Sequence, residues 1–330
     1  MMNGKNNPST GPDIHFADSA EARVAILDDR GDTYFSRLQS LEIAAKTGQA
    51  PVGATLDEQR AHLRSLYTAD VLSFTAEEQE AFTWYIQGIY AALRKDYPGF
   101  ASAGWRFIKT NGGIESGLPF TRGAYIVFSK SWVERLTLSR KKAATTLEAV
   151  SGMRVLIHEQ CHVYQRSHPQ LFAGLYTSVW GFVHAVNVQP NGWLQDRQVL
   201  NPDGTDIRWI YPIVAAGTTR WIWPLIILPG NPNVYSLYAI QAVAVEGVME
   251  GDTFRPTLDP NQKPVLNKLS DVTEYVSAFE PATEIFHPNE IEADLFSWMV
   301  TEDIERGGNG TPSEPADVTA FRKWCRLHLV

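Results

Sequence analysis

Apolar residues recur at helical spacing through the first part of the chain, from residue 17 to residue 97. Two segments carry this pattern, SAEARVAILDDRGDTYFSRLQSLEIAAKTG and TAEEQEAFTWYIQGIYAALRKDYPG. The second opens on Thr75 followed by Glu78, a capping-box arrangement in which each side chain bonds the other residue's backbone N–H. We therefore predict a mainly helical N-terminal region over residues 1–100, packed on the core that follows.

The spacing of apolar residues changes at residue 104. WRFIKT and GLPFTRGAYIVFSKSW have the composition of short strands, and the glycine-rich NGGIESG separates them. A small mixed sheet is predicted to begin there.

Three further segments complete the predicted layout. TTLEAVSGMRVLIHEQCHVYQR indicates a buried helix, for which Thr146 is a possible N-cap. From 180 to 245, Trp, Tyr, Val and Ile among frequent Pro, Gly and Asn indicate short strands and loops, within an aromatic-rich insert at about 170–285. Two last helices are predicted near 288–305 and 315–328, the first starting at Pro288.

Composition and charge exclude some classes of partner. With 330 residues and 44% apolar content, the chain can bury a substantial core. Its net charge of -8 includes no basic stripe, so we expect no nucleic acid partner. The most apolar run, WIWPLIILPG, is half the roughly twenty residues that a membrane span needs. The polar N-terminus lacks a signal peptide's apolar core, so we expect a soluble chain and leave its location open.

The segment HEQCH carries the strongest chemical signal. His158 and His162 are four residues apart and share one helix face, so both imidazoles can bind one metal ion. Glu159 points to the side, where a carboxylate can take a proton from a water on that ion. On an apolar helix these polar groups are costly to bury unless something coordinates them. The pattern predicts a zinc site.

NEIEAD, at residues 289–294, offers the third ligand. Glu290 could bind the ion, and Asp294, on the same helix face, could accept the other ring N–H of a ligating histidine. His168 is the alternative, because its spacing matches the metzincin pattern HExxHxxGxxH. That pattern has glycine where this chain has Gln165, at a turn that glycine makes more easily. We therefore predict Glu290.

HEQCH followed by NEIEAD resembles the gluzincin group of zinc metallopeptidases, whose pattern is HExxH and then a helix with NExxxD. GLPFTRGAYIVFSKSW is similar to the edge strand that binds extended substrate in that group. The resemblance covers about residues 105–300 and implies an α+β fold, with a zincin-like catalytic domain over 101–330 and a buried active-site helix. It implies these roles: zinc ligands His158, His162 and Glu290, general base Glu159, and orienting residue Asp294. The 128 residues from His162 to Glu290 are long for the group and imply an inserted subdomain.

The expected function is hydrolysis by a zinc-activated water, with one Zn²⁺ per chain and a peptide bond as the first choice of substrate. One alternative is a small non-peptide ester, lactone or amide, held in a closed aromatic pocket formed by the insert. Another is a non-catalytic zinc-binding module, against which Glu159 argues, because a structural site needs no base. Six residues are candidates for stabilising an oxyanion: Tyr235, Tyr238, His184, His287, Arg197 and Arg208.

Overall fold

A computed structural model of the chain describes residues 11–142, 147–215, 217–230, 235–307 and 316–330. The α-helices are α1 (Ser19–Ala25), α2 (Tyr34–Arg37), α3 (Ser40–Thr47), α4 (Leu56–Ala69), α5 (Ala76–Leu93), α6 (Pro98–Ala101), α7 (Lys130–Lys141), α8 (Leu147–Ser167), α9 (Pro169–Gly174), α10 (Gly192–Gln195), α11 (Thr273–Ala278), α12 (Pro288–Glu305) and α13 (Ala316–His328). The strands are β1 (Ile14–Phe16), β2 (Val71–Leu72), β3 (Trp105–Thr110), β4 (Phe120–Arg122), β5 (Tyr125–Ser129), β6 (Val183–His184), β7 (Asn187–Val188), β8 (Trp209–Ala215), β9 (Thr218–Ile227), β10 (Gln241–Glu250), β11 (Thr253–Pro256) and β12 (Leu266–Lys268).

The first sheet is mixed, with strand order β1-β3-β5-β4, and β2 also pairs with β3. β1, β3 and β5 are parallel, whereas β4 runs antiparallel to β5 at the edge. The sheet takes strands from both sides of residue 100, so the expectation that it begins at residue 104 was wrong. β1 and β2 were missed because two or three residues are too few to show an alternating pattern.

Helices cover both faces of this sheet because side chains alternate along each strand. Phe107 and Phe128 face a core shared with α5, α7, α8 and α12. Ile108 and Val127 face the opposite way, into a second core built with α1 to α4. The structure places helices α1 to α6 between Ser19 and Ala101 and confirms the capping box at the start of α5. The chain is a mixed fold of helices and sheets.

Two buried helices lie against each other beneath the first sheet. α8 matches the predicted buried helix and contacts β4 and β5, although Thr146 lies outside the described residues. α12 packs along α8 and starts at Pro288, as predicted, with the His287 ring accepting the Asn289 backbone N–H at its N-terminus. Thirteen α12 residues are buried, and six of them are polar: Asn289, Glu290, Glu292, Asp294, Ser297 and Thr301.

The insert between these helices forms a second sheet, with strand order β6-β8-β9-β10-β11-β7 and β12 paired to β10. Its pairs are antiparallel except β7 with β11. Trp223 and Phe254 lie in a separate core on this sheet. The sequence predicted short strands and loops here, but β9 and β10 are ten residues each. Of the helices in the described parts of the chain, none has the length and apolar character needed to cross a bilayer.

Candidate metal centre

α8 and α12 bring three potential metal ligands to one point. The His158 and His162 Nε2 atoms are 3.1 Å apart. Oε2 of Glu290 lies 3.2 Å from the first nitrogen and 3.3 Å from the second. These residues form the one group of three potential ligands found in the described part of the chain. The predicted ligand set is thus brought together across 128 residues of sequence.

The spacing of these atoms fits a tetrahedral metal ion. Two ligands that each lie roughly 2.0–2.1 Å from a tetrahedral zinc are about 3.3–3.4 Å from each other. The observed separations of 3.1, 3.2 and 3.3 Å are close to that distance. Two imidazoles and one carboxylate leave the fourth position for water or substrate, as catalytic zinc sites require. The cluster is therefore compatible with a bound metal ion.

Gln165 fixes which nitrogen of His162 carries the proton. The Gln165 amide nitrogen donates to the Asn289 carbonyl at 2.9 Å and to the Glu292 carboxyl at 2.6 Å. Its oxygen must therefore accept from the His162 Nδ1–H, 3.0 Å away. His162 Nε2 therefore faces the other two ligands, and it is the nitrogen that would bind a metal once it has lost its own proton.

Glu290 is fixed by its neighbours with one oxygen left for the centre. The Asn201 amide nitrogen donates to Glu290 Oε1 at 2.6 Å, and the Asn201 oxygen accepts from the Asp203 backbone N–H at 3.0 Å. Burial alone would raise the pKa of Glu290, but His162 and His158 hold it well below its usual value. The carboxylate stays ionised, as a metal ligand must be.

Glu159 is a buried residue that lines the same cavity as His158 and Glu290. Only 6% of it is exposed. Within the described residues, its Oε2 atom has no hydrogen-bond partner. Burial, and then the negative charge of Asp203, raises the pKa of Glu159 well above its ordinary value. A buried carboxyl oxygen without a partner is costly, which makes Glu159 a candidate functional residue.

His158, Glu159 and Glu290 open into a cavity of about 520 Å³. Most of its wall is apolar. The apolar residues lining it are Leu118, Pro119, Phe120, Trp132, Val155, Val199, Leu200, Pro202, Ile226, Leu237, Ile240 and Phe286. A mainly apolar cavity with a few converging polar groups is the usual form of a small-molecule site.

The hydrogen bonds of Asp294 differ from those that the sequence suggested. One of its oxygens accepts from the Arg154 guanidinium at 2.6 Å. The other accepts from the backbone N–H and the hydroxyl of Thr283, at 2.6 and 2.9 Å. Among the described residues, no hydrogen bond joins Asp294 to His158 or His162, and the inner ring nitrogen of His162 bonds Gln165, so the structure does not show Asp294 orienting a ligating histidine. Asp294 instead fixes Arg154, whose side chain lines the cavity one turn before His158.

The competing candidates lie elsewhere. His168 stacks on Tyr164 with 4.1 Å between ring centres, and its Nδ1 contacts the Tyr164 carbonyl and the Ser167 hydroxyl. Glu292 accepts from Gln165 instead of joining the cluster. None of the six oxyanion candidates, all of them in the described residues, lines the cavity: Tyr235, Tyr238, His184, His287, Arg197 and Arg208.

Four cavity or supporting residues were not identified from sequence. Arg154 had a usable signal, since it stands four residues before His158 and so shares its helix face. Gln165 stands three residues after His162, which is also a helical contact distance. Asn201 and Asp203 had no signal, because a loop far away in sequence carries them to the centre.

Comparisons of this chain with family models, curated proteins and solved structures gave no match. The likeness to gluzincins therefore depends on the two short motifs alone. What the site can do must be argued from its own geometry.

Proposed function

We propose that this chain is a zinc-dependent hydrolase in which His158, His162 and Glu290 bind the metal and Glu159 is the general base. One observation carries the proposal. Three ligand atoms lie within 3.1–3.3 Å of one another, next to a buried carboxyl oxygen that has no partner among the described residues. A structural zinc site is closed by four protein ligands and needs no neighbouring base, so this arrangement favours catalysis over the non-catalytic alternative.

Each residue of the centre then has a role. When bound, zinc would polarise a substrate carbonyl and lower the pKa of a water molecule. Glu159 accepts the proton from that water and later returns it to the leaving group. Gln165 keeps the lone pair of His162 turned inward, and Asn201 keeps Glu290 in place. These supporting bonds reduce the rearrangement needed when the metal binds.

Two substrate classes are supported by different observations. The HEQCH and NEIEAD motifs, through their resemblance to gluzincins, favour a peptide bond. The mainly apolar cavity of about 520 Å³ favours the second candidate, a small non-peptide ester, lactone or amide. The same water activation serves both, because each reaction begins with attack on a carbonyl carbon.

Replacing Glu159 with glutamine tests the proposed reaction. We expect Glu159→Gln to abolish chelator-sensitive hydrolysis of a mixed peptide digest and of a panel of small aryl esters. Zinc content and the melting temperature should stay near wild type, because the amide keeps the shape but cannot accept the proton.

Glu148→Gln is the matched control, since Glu148 is an exposed glutamate in the first turn of the same helix. It should leave hydrolysis unchanged. Near-wild-type turnover by Glu159→Gln would contradict the role of Glu159 as base, and loss of zinc from that variant would mean that Glu159 supports the metal site instead.

A further inference from the structure

The outer edge of β4 is already bonded to other parts of the protein. The Thr121 backbone N–H points away from β5 and donates to Asp203 Oδ1 at 2.6 Å, and the Thr121 hydroxyl donates to the same oxygen at 2.7 Å. The Gly123 carbonyl accepts from Arg166 at 2.7 Å. An extended peptide adds to a sheet edge through free N–H and C=O groups, and here the Thr121 N–H and the Gly123 carbonyl already have partners while Pro119 offers no N–H.

The segment that covers this edge, residues 200–204, is held from the side of α3. The Leu200 N–H donates to Glu42 at 2.6 Å, and the Lys46 ammonium donates to the Leu200 carbonyl at 3.0 Å. Lys46 also forms a buried ion pair with Glu115 at 2.9 Å. A buried ion pair of this kind holds a backbone segment in one position, because breaking one of its bonds leaves a buried charge without a partner.

The same segment is also fixed from the side of α8 and α12. Arg166 donates to the Pro202 carbonyl at 3.1 Å, and the Asn201 amide bonds Glu290 at 2.6 Å. A side chain on Gly204 would collide with Asn289, so the backbone packs directly on α12 at that point. Residues 200–204 are thus a fixed wall between β4 and the metal ligands.

We propose that the site accepts a compact, mainly apolar ester or amide inside the cavity, and that it excludes an extended polypeptide along β4. The inference rests on the proposed hydrolase function and selects its substrate class. Asn201 and Asp203 close the side of the cavity where an edge strand would otherwise hold a peptide. The remaining volume of about 520 Å³ suits one small molecule.

Two hydroxamates that share a phenylpropionyl hydroxamate core, one of them extended by a peptide backbone, test this inference by binding to the zinc-loaded full chain. The compact probe is 3-phenylpropionyl hydroxamate, and the extended probe is the hydroxamate of acetyl-Ala-Ala-Ala-Phe. Titration calorimetry should give a Kd for the compact probe at least about tenfold lower, since the extended backbone finds no free edge. Equal or tighter binding of the extended probe would overturn the inference.

Asp203→Ala should release the Thr121 N–H. The ratio of the two Kd values, extended probe over compact probe, should then fall by about tenfold. Asp259→Ala is the matched control, because Asp259 likewise accepts two hydrogen bonds, from the Asn261 and Lys263 N–H groups, but does not line the cavity. It should leave the Kd ratio unchanged. If this Kd ratio is unchanged in a folded, zinc-loaded Asp203→Ala variant, residues 200–204 do not exclude the extended probe and the inference is overturned.

The outcomes separate this inference from the proposed function. A chain that holds no zinc contradicts the hydrolase proposal itself. A chain that holds zinc but binds neither probe leaves the metal centre standing and overturns the compact-substrate inference. If Asp203→Ala fails to fold, the comparison of the two probes on the wild-type chain decides.

Discussion

Replacing Gln165 with methionine should weaken zinc binding, although Gln165 is not a proposed ligand. The Gln165 amide oxygen accepts from His162 Nδ1 at 3.0 Å and so keeps the Nε2 lone pair directed at the centre. Methionine is unbranched, has a similar length and fills the same space, but it cannot fix the ring. The freed imidazole can then carry its proton on either nitrogen and rotate before it binds the ion.

The expected loss follows from the bonds that Gln165 makes. Only the bond to His162 acts on a ligand, and losing such an outer partner costs about 10–100-fold in metal affinity, or roughly 1.4–2.7 kcal/mol. The bonds to Asn289 and Glu292, at 2.9 and 2.6 Å, stabilise the fold instead. Their loss should lower the free energy of unfolding by about 2–3 kcal/mol, so binding must be measured well below the melting temperature.

A competition titration against a chromogenic zinc chelator at 25 °C measures the change in affinity. Gln160→Met is the control, because Gln160 is a buried glutamine on the same helix that bonds the Gly104 carbonyl at 3.2 Å, away from the ligands. Its zinc affinity should match that of the wild type. If Gln165→Met also binds zinc within about threefold of the wild type, His162 is not oriented by Gln165 and the reasoning is refuted.

Asp294→Ala should lower the free energy of unfolding by about 2 kcal/mol, seen by urea denaturation, because its two oxygens bond Arg154 and Thr283. Its zinc affinity should stay within about threefold of the wild type; a loss of about tenfold or more would restore the histidine-orienting role. Burial raises the pKa of Glu42 from 4.5 to about 7, so the folded chain holds a proton there that the unfolded chain releases. This proton on Glu42 stabilises the folded chain fully at low pH, and the stabilisation disappears as pH rises to 7. The free energy of unfolding of Glu42→Gln, relative to that of the wild type, should therefore rise by up to about 3 kcal/mol between pH 5 and pH 8. A pH-independent difference in denaturation would contradict this.

Residues that act through local helical spacing could be predicted from the sequence. The positions of His158 and His162 follow from a four-residue step on one helix, and Glu290 follows from its place in NEIEAD at the start of another. The helices themselves were predicted because their apolar faces repeat over many turns. Their meeting at one point was inferred by resemblance, and the structure brings the three side chains together.

Residues that depend on long-range contacts could not be predicted from the sequence. Asp294 has the spacing of an orienting carboxylate, but in the structure its oxygens bond Arg154 and Thr283. Spacing alone cannot rank such competing partners. The segment at residues 200–204 reaches the centre only because the insert folds back over α3 and β4. The sequence of this segment, LNPDG, predicts no more than a turn.

Zinc content of the purified full chain tests the central claim most directly. Wild type, Glu290→Ala and His168→Ala would be prepared in zinc-supplemented medium, desalted and measured by elemental analysis. We expect about one zinc per chain in the wild type and in His168→Ala, and a large loss in Glu290→Ala, because Glu290 supplies the third of three protein ligands. A wild-type chain without zinc, or a His168→Ala chain that loses zinc while Glu290→Ala keeps it, would contradict the proposed metal centre.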